Sequence, residues 1–149
     1  MIIKILYFSA AFLLLATSAS AQPKKIGLSN LNGKKRLHPC PKSPNCVSSH
    51  NDNDDKDQHI SAVSYQQKEK KFKQVKECIK KRKGTKIIKE TPHYIHFTSE
   101  SSFMGFVDDT EFYFDEEQKK MHFRSSSRTG YSDFGVNRKR IQALIKNCK

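Results

Sequence analysis

Hydrophobic and polar positions alternate in four short runs of the second half of the chain, and the stretches on either side repeat at helical spacing. In "SYQQKEKKFKQVKECIKKRKG", Phe72, Val75, Cys78 and Ile79 fall on one stripe, Lys fills the rest, and Gly84 supplies a stop. "TKIIKE" and "HYIHFTSE" are β-rich runs separated by Thr91-Pro92. "FMGFVDDTEFYFD" and "KKMHFRSS" follow, divided by the charged Glu116-Glu117 turn region. "VNRKRIQALIKNC" closes the chain with Ile141, Leu144, Ile145 and Cys148 on one stripe. The expected fold is α+β: a four-stranded antiparallel meander sheet in the order α-β-β-β-β-α, with both helices on one face.

The last hairpin admits a register. A two- or four-residue loop centred on Glu116-Glu117 sets Phe112 opposite Met121, Thr110 opposite Phe123 and Asp109 opposite Arg124. Alternation then gathers Phe106, Asp108, Thr110, Phe112, Phe114, Met121 and Phe123 on the core side. Asp109, Glu111, Tyr113, His122 and Arg124 take the other side. Asp108 faces inward and needs a partner, because a buried carboxylate without one is costly.

Before His59 no sustained period is evident. Residues 22–37 read as a flexible basic arm, the three prolines of "HPCPKSPNC" exclude a helix or inner strand, and "NDNDDKDQ" reads as an exposed loop. The expected division is a signal peptide at 1–21, an arm with a Cys-containing loop at 22–58, and one α+β domain at 59–149. The leader follows from Lys4, the uncharged run Ile5 to Ala16, and the small residues Ala19, Ser20 and Ala21 before Gln22. An uncharged run of twelve residues is short for a membrane span of about 20. The mature chain has no other segment able to cross a bilayer, so it is expected to be exported, periplasmic or secreted.

Charge refines this picture. The net charge is +13, with an acidic strip from Thr91 to Lys120 between two basic segments. Such a surface attracts anionic lipid, polysaccharide or nucleic acid without specificity, and an exported protein meets little nucleic acid. Four cysteines in an exported chain favour disulfides. Local closure pairs Cys40 with Cys46, and the stripes of two stacked helices pair Cys78 with Cys148.

Four pieces, "CPKSPNCVSS", "HYIHFTSES", "GFVDDTEFYFD" and "RSSSRTGYSDFGVNRKR", together resemble the bacterial and plastid family catalogued as domain of unknown function 1499. The resemblance runs from about Pro39 to Leu144 and implies no substrate or catalytic residue. Matched to the family's pattern are Cys40, Cys46, Asn45, Ser48, Ser49, Asp108, Asp109, Arg124, Ser125, Ser127, Arg128, Gly130, Ser132, Asp133, Gly135, Asn137 and Arg138. Cys78 and Cys148 fall outside it.

The last of these pieces carries the main candidate site. Arg124, Arg128 and Arg138, with Ser125, Ser127, Ser132 and Asn137, offer forked cations and neutral donors near the start of the final helix. Those residues suit a phosphate or carboxylate ligand. The same arginines are equally matched by three acids, Asp108, Asp109 and Asp133, as an internal ionic network, with Asp133 or Asn137 capping the helix. In either case Arg124, Arg128 and Arg138 are expected to converge, held by Asp109 and Asp133. Lys139 and Arg140 read as a solvated helix face.

His38, Cys40, Cys46 and His50 carry zinc-ligand residue types, but the spacing is not that of a finger and exported thiols pair. No metal or cofactor is expected. Ser48 and His50 suggest a hydrolase, yet no nucleophile motif surrounds them. The leading expectation is a monomeric, non-enzymatic envelope protein. It would bind an anionic small ligand, lipid headgroup or envelope partner and no specific nucleic acid. The alternatives are a hydrolase using Ser48 and His50 or the Asp/Arg cluster, and a purely structural module. Mass spectrometry of exported material is expected to find Gln22 at the amino terminus; a pool retaining Met1 would overturn the leader assignment.

Overall fold

The computed structural model describes residues 25–50, 55–101 and 105–148; the expected leader, 1–21, lies outside them. Along the chain come β1 (Leu28–Leu31), β2 (Lys34–Leu37), β3 (Cys46–Ser48), β4 (Val63–Ser64), α1 (Lys68–Lys80), β5 (Thr85–Thr91), β6 (Tyr94–Glu100), β7 (Val107–Asp115), β8 (Lys120–Ser127) and α2 (Val136–Asn147). β5 to β8 form the expected antiparallel meander. It does not stand alone. β3 and β4 both pair with β8, giving a six-stranded sheet with the path β3-β8-β7-β6-β5, and β1 and β2 make a separate two-stranded sheet. The four-stranded expectation is corrected to six strands plus two.

β1 and β2 lie in the segment read as a flexible arm, β3 in the Cys-containing loop, and β4 just ahead of α1 inside the expected domain. A two-residue turn, Asn32-Gly33, joins Leu31 to Lys34, with φ of 52° and 78° at its two residues. That is the positive-φ geometry for which Asn-Gly is preferred in tight hairpins. β3 is short enough to follow the prolines and still bond to β8, Cys46 lying opposite Ser126 and Ser48 opposite Arg124.

The apolar stripes of both helices meet one face of the large sheet. Val75 and Ile79 of α1 and Ile141 and Leu144 of α2 pack with Ile95, Phe97, Phe112, Phe114, Met121 and Phe123. α1 ends where Thr85 Oγ1 reaches the Ile79 and Arg82 carbonyls, each at 2.8 Å. Gly84 follows with φ +71°, and a Cβ there would stand 2.8 Å from the Glu100 carbonyl oxygen, so only glycine fits without movement.

The β7–β8 register departs from the expected one. Asp115 pairs with Lys120, Phe112 with Phe123, and Glu111 with Arg124. The loop is Glu116 to Lys119, one residue further along than expected. Asp115 fixes it by accepting the Gln118 amide at 3.0 Å, and Lys119 takes φ 51°. Each strand residue therefore meets a partner two places away from the expected one. A shift of two preserves the alternation, so the assignment of side chains to faces stands within the strands; Phe106, expected on the core side, precedes β7 and is exposed.

The cysteines pair as Cys40–Cys46 and Cys78–Cys148, with Cα separations of 5.6 Å in both. Loop-closure entropy gives roughly 2.4 kcal/mol for the shorter loop and roughly 4.4 kcal/mol for the longer. In urea titrations, Cys148→Ser is expected to lower stability by more than Cys40→Ser; the reverse order would show that the long loop is already constrained in the unfolded chain.

Candidate functional site

The face of the sheet away from the helices is built from the polar half of the same alternating strands. β6 supplies Tyr94 and His96, β7 supplies Asp109, Glu111 and Tyr113, and β8 supplies His122, Arg124 and Ser126. Most are buried, because the β1–β2 hairpin lies across β7 and β8.

Glu111 and Arg124 form a fully enclosed ion pair at 3.0 Å, their side chains 0% and 2% exposed. The Tyr94 hydroxyl and the Gly27 amide donate to the other Glu111 oxygen at 2.6 and 2.7 Å. Arg124 also donates to the Lys25 carbonyl. Burial and the adjacent carboxylate push the Tyr94 phenol pKa upward, so it is a fixed donor. Beside this pair, Asp109 accepts two bonds from Arg128 at 2.9 and 3.0 Å and one from His96 Nε2 at 2.8 Å. Burial pushes its carboxyl up, but the His96 and Arg128 bonds outweigh that and hold it at about 2.

Three side-chain atoms on alternate residues of β8, namely His122 Nε2, Arg124 Nε and Ser126 Oγ, are enclosed and have no hydrogen-bond partner among the described residues. Unpaired buried polar atoms are rare in folded proteins and call for an explanation. Of the three residues only His122 lines a cleft, and its Nε2 itself is enclosed. Its ring stacks on His50 at 3.8 Å, its Nδ1 lies 3.2 Å from Ser49 Oγ, and it lines a cleft of about 750 Å³. Leu28, Leu31, Lys34 and Lys35 of the hairpin form one wall, and Tyr113 and the Asp115–Gln118 turn form the other. Among the described residues Lys34, Lys35 and Glu117 have no ionic partner, whereas Asp115 is held by Gln118 and Glu116 by Lys68, which leaves two free cations against one free acid on the cleft. Burial lowers the His122 pKa to about 4, so the imidazole facing the cleft is neutral.

The residues singled out from sequence are not brought together here. Arg124, Arg128 and Arg138 do not converge. Arg124 is inside the second face on Glu111, not opposite Asp109. Arg128 holds Asp109 with its side chain 52% exposed. Arg138 donates to the carbonyls of Lys56, Asp57 and His59 at 2.8–2.9 Å. The separation has a simple cause, since Arg124 sits on a strand whose side chains alternate and Arg138 on a helix covering the opposite face.

Ser125, Ser127 and Asn137 do meet, but as a closed network on the helix side. Asn137 is fully buried. Its Oδ1 accepts from Ser125 and Arg140 at 2.5 and 2.6 Å, and its Nδ2 donates to Ser127 and Asp133 at 2.9 and 2.7 Å. Asp133 caps α2 by accepting the Asn137 amide at 2.8 Å rather than holding an arginine, and Ser132 accepts the Phe134 amide in the preceding loop. The inward Asp108 finds Arg140 at 2.5 Å, so Arg140 is not the solvated residue expected. Its i−3 spacing to Asn137 was the available signal.

Cys40 and Cys46 are bonded to each other. His50 Nδ1 accepts the Leu37 amide at 3.2 Å, and His38 lies in the field of Glu111 and Arg124. No group of three or more His, Cys, Asp or Glu able to hold a metal occurs among the described residues. Ser48 Oγ accepts the His50 amide at 3.0 Å and is buried, so these two side chains make no nucleophile–base pair.

A family model described as "Protein of unknown function (DUF1499)" matches residues 36–147. The chain belongs to this family. The match spans β2 to α2 and therefore includes both the buried Asn137 network and the polar face. Comparison with curated proteins and with solved structures gives no match.

Two pH windows follow from the buried titrating groups. His122 has its pKa lowered from 6.5 to about 4 on folding, so the unfolded chain binds its proton first as the pH falls. Its contribution is complete above pH 6.5 and is lost towards pH 4, on the order of 2 kcal/mol once screening by water is allowed for. Asp109, lowered from 3.8 to about 2, stabilises above pH 3.8 and loses that effect only as the pH approaches 2. In urea melts His122→Phe is expected to flatten the dependence between pH 6.5 and 4 and leave the lower window intact. An unchanged slope in the upper window would contradict the burial of a neutral imidazole.

Proposed function

We propose that the protein is a non-enzymatic binding protein that acts after export. Its ligand occupies the cleft between the β1–β2 hairpin and the polar face of the sheet. The observation that carries this reading is the cleft itself, about 750 Å³ and lined by Lys34, Lys35, Tyr113 and His122. That volume falls in the range of about 300–1,000 Å³ usual for small-molecule sites. Lys34 and Lys35 favour an anionic group at the rim. Leu28, Leu31 and the Tyr113 ring favour an apolar body behind it. The ligand class is therefore a small amphiphilic anion, with the His122 ring part of the wall it meets.

Chemistry on the ligand is not favoured. Ser49 Oγ accepts the Phe123 amide at 3.0 Å, which holds it in the strand network, and among the described residues no carboxylate bonds to His122. Export is supported by the leader-like first 21 residues and by two disulfides. No helix among the described residues is long and apolar enough to cross a membrane. One monomeric domain carries both faces in this reading.

Decanoate and decyl phosphate are expected to stabilise the fold by about 2.7 kcal/mol at a hundredfold excess over Kd, seen as a thermal midpoint that rises with concentration. Inorganic phosphate, lacking the apolar body, is expected to do much less. Lys34→Glu with Lys35→Glu, or His122→Phe alone, should remove the effect. Undiminished stabilisation in those variants would place the site elsewhere, and no response to either amphiphile would end the proposal.

A further inference from the structure

On the other side of the molecule, the loop before α2 displays two aromatic rings that the fold does not use. Tyr131 is 77% exposed and Phe134 is 90% exposed. Phe134 also has φ 52°, a left-handed conformation that disfavours any residue with a Cβ. The loop around it is firmly braced. Asp133 accepts the Gly135 and Asn137 amides at 3.0 and 2.8 Å, Ser132 accepts the Phe134 amide, and Asn45 Nδ2 donates to the Gly130 carbonyl. A strained residue that buries nothing, held by this many bonds, points to function rather than folding.

Charge indicates what these rings meet. α1 and its C-terminal extension, with α2, expose Lys70, Lys73, Lys81, Lys83, Lys139 and Lys146. None of the six has a carboxylate partner among the described residues, and the exposed acids on the same two helices are Glu69 and Glu77. α2 contains no acid. Near the aromatic loop, Asp55 and Asp57 are exposed beside Lys56 and Arg138, so the positive field comes from the helices and not from that corner. Val136, 47% exposed, and Lys139 lie one turn apart on α2, which sets an apolar and a cationic side chain on one outer surface.

We propose that this side of the domain docks on an anionic lipid bilayer. Tyr131 and Phe134 enter the interfacial layer, where aromatic rings are favoured, and the helix lysines are drawn to the headgroups. The proposal is independent of the cleft, which opens on the opposite face of the sheet. A membrane-apposed binding protein would present that cleft away from the surface that holds it.

The test is co-sedimentation of the exported chain with vesicles of phosphatidylglycerol and phosphatidylcholine, compared with phosphatidylcholine alone. Binding to the anionic vesicles is expected, weakening as salt rises. Lys70→Gln, Lys73→Gln, Lys81→Gln and Lys83→Gln together should reduce it by roughly fivefold per lysine. Phe134→Gly combined with Tyr131→Ser should reduce it by about tenfold. Because glycine tolerates φ 52°, Phe134→Gly alone should not lower the thermal midpoint, which separates docking from folding. Full binding by the aromatic double variant would reduce the contact to charge alone and overturn the proposal. So would equal binding to neutral vesicles, absence of binding, or capture by a soluble acidic polymer with vesicles ignored.

Discussion

Everything in this fold depends on the alternation of β7 and β8, because both faces of that strand pair are covered. Phe112, Phe114, Met121 and Phe123 point to the helices, while Asp109, Glu111, His122 and Arg124 point to the hairpin. A one-residue slip would put two carboxylates and an arginine into the aromatic core and four large apolar side chains under a polar lid. No compromise register exists, so this central pair fixes the positions of the remaining strands. β3 and β4 attach to the free edge of β8, and β6 and β5 extend from β7.

Covering a polar face has an energetic consequence. An ion pair such as Glu111–Arg124, taken wholly out of water, gains little net stability over an apolar substitute, yet losing one partner costs about 3–5 kcal/mol. Such a pair therefore acts more as a specification than as glue. Gly27 and Tyr94 complete Glu111, and Lys25 engages Arg124, so the start of the described chain is tied to the centre of the sheet. The hairpin is placed by these polar anchors together with Leu37, which is 1% exposed. A lid held mainly by hydrogen bonds at one end leaves room at the other, and the cleft beside His122 lies there.

The amphipathic elements were legible in the sequence because their periods are long and unbroken. Both helices, all four meander strands and the assignment of faces follow from the positions of Phe, Ile and Val. The register was less legible: a turn centre displaced by one residue changed every cross-strand partner, and only the Asp115 side chain bonding to Gln118 distinguishes the two loops. The hairpin at Leu28–Leu37 was missed although Asn32-Gly33 is a strong turn signal, because its flanking residues, Ser29, Asn30, Lys35 and Arg36, lack apolar alternation. The polar cleft was not legible. It forms between residues more than 70 positions apart, and neither His122 nor Lys34 carries a local signature.

The arginines explain why the candidate cluster dispersed. A guanidinium presents a rigid fork of donors and tolerates burial better than an ammonium does. In this fold Arg124, Arg128 and Arg140 are used on Glu111, Asp109 and Asp108, and Arg138 on three loop carbonyls. The sequence places them close together because one strand, one loop and one helix turn follow in quick succession, each projecting its arginine in a different direction. Lysine takes the other role. Its compact charge stays hydrated at the end of a flexible stem, and the helices and the hairpin carry lysines that meet no acid. The net positive charge thus divides largely by residue type: these four arginines hold the protein together, while the lysines other than Lys68, Lys71, Lys76 and Lys80 set the field that an approaching anion encounters. A dense arginine motif in a domain with matching acids on its strands is, on this reasoning, first a description of the interior.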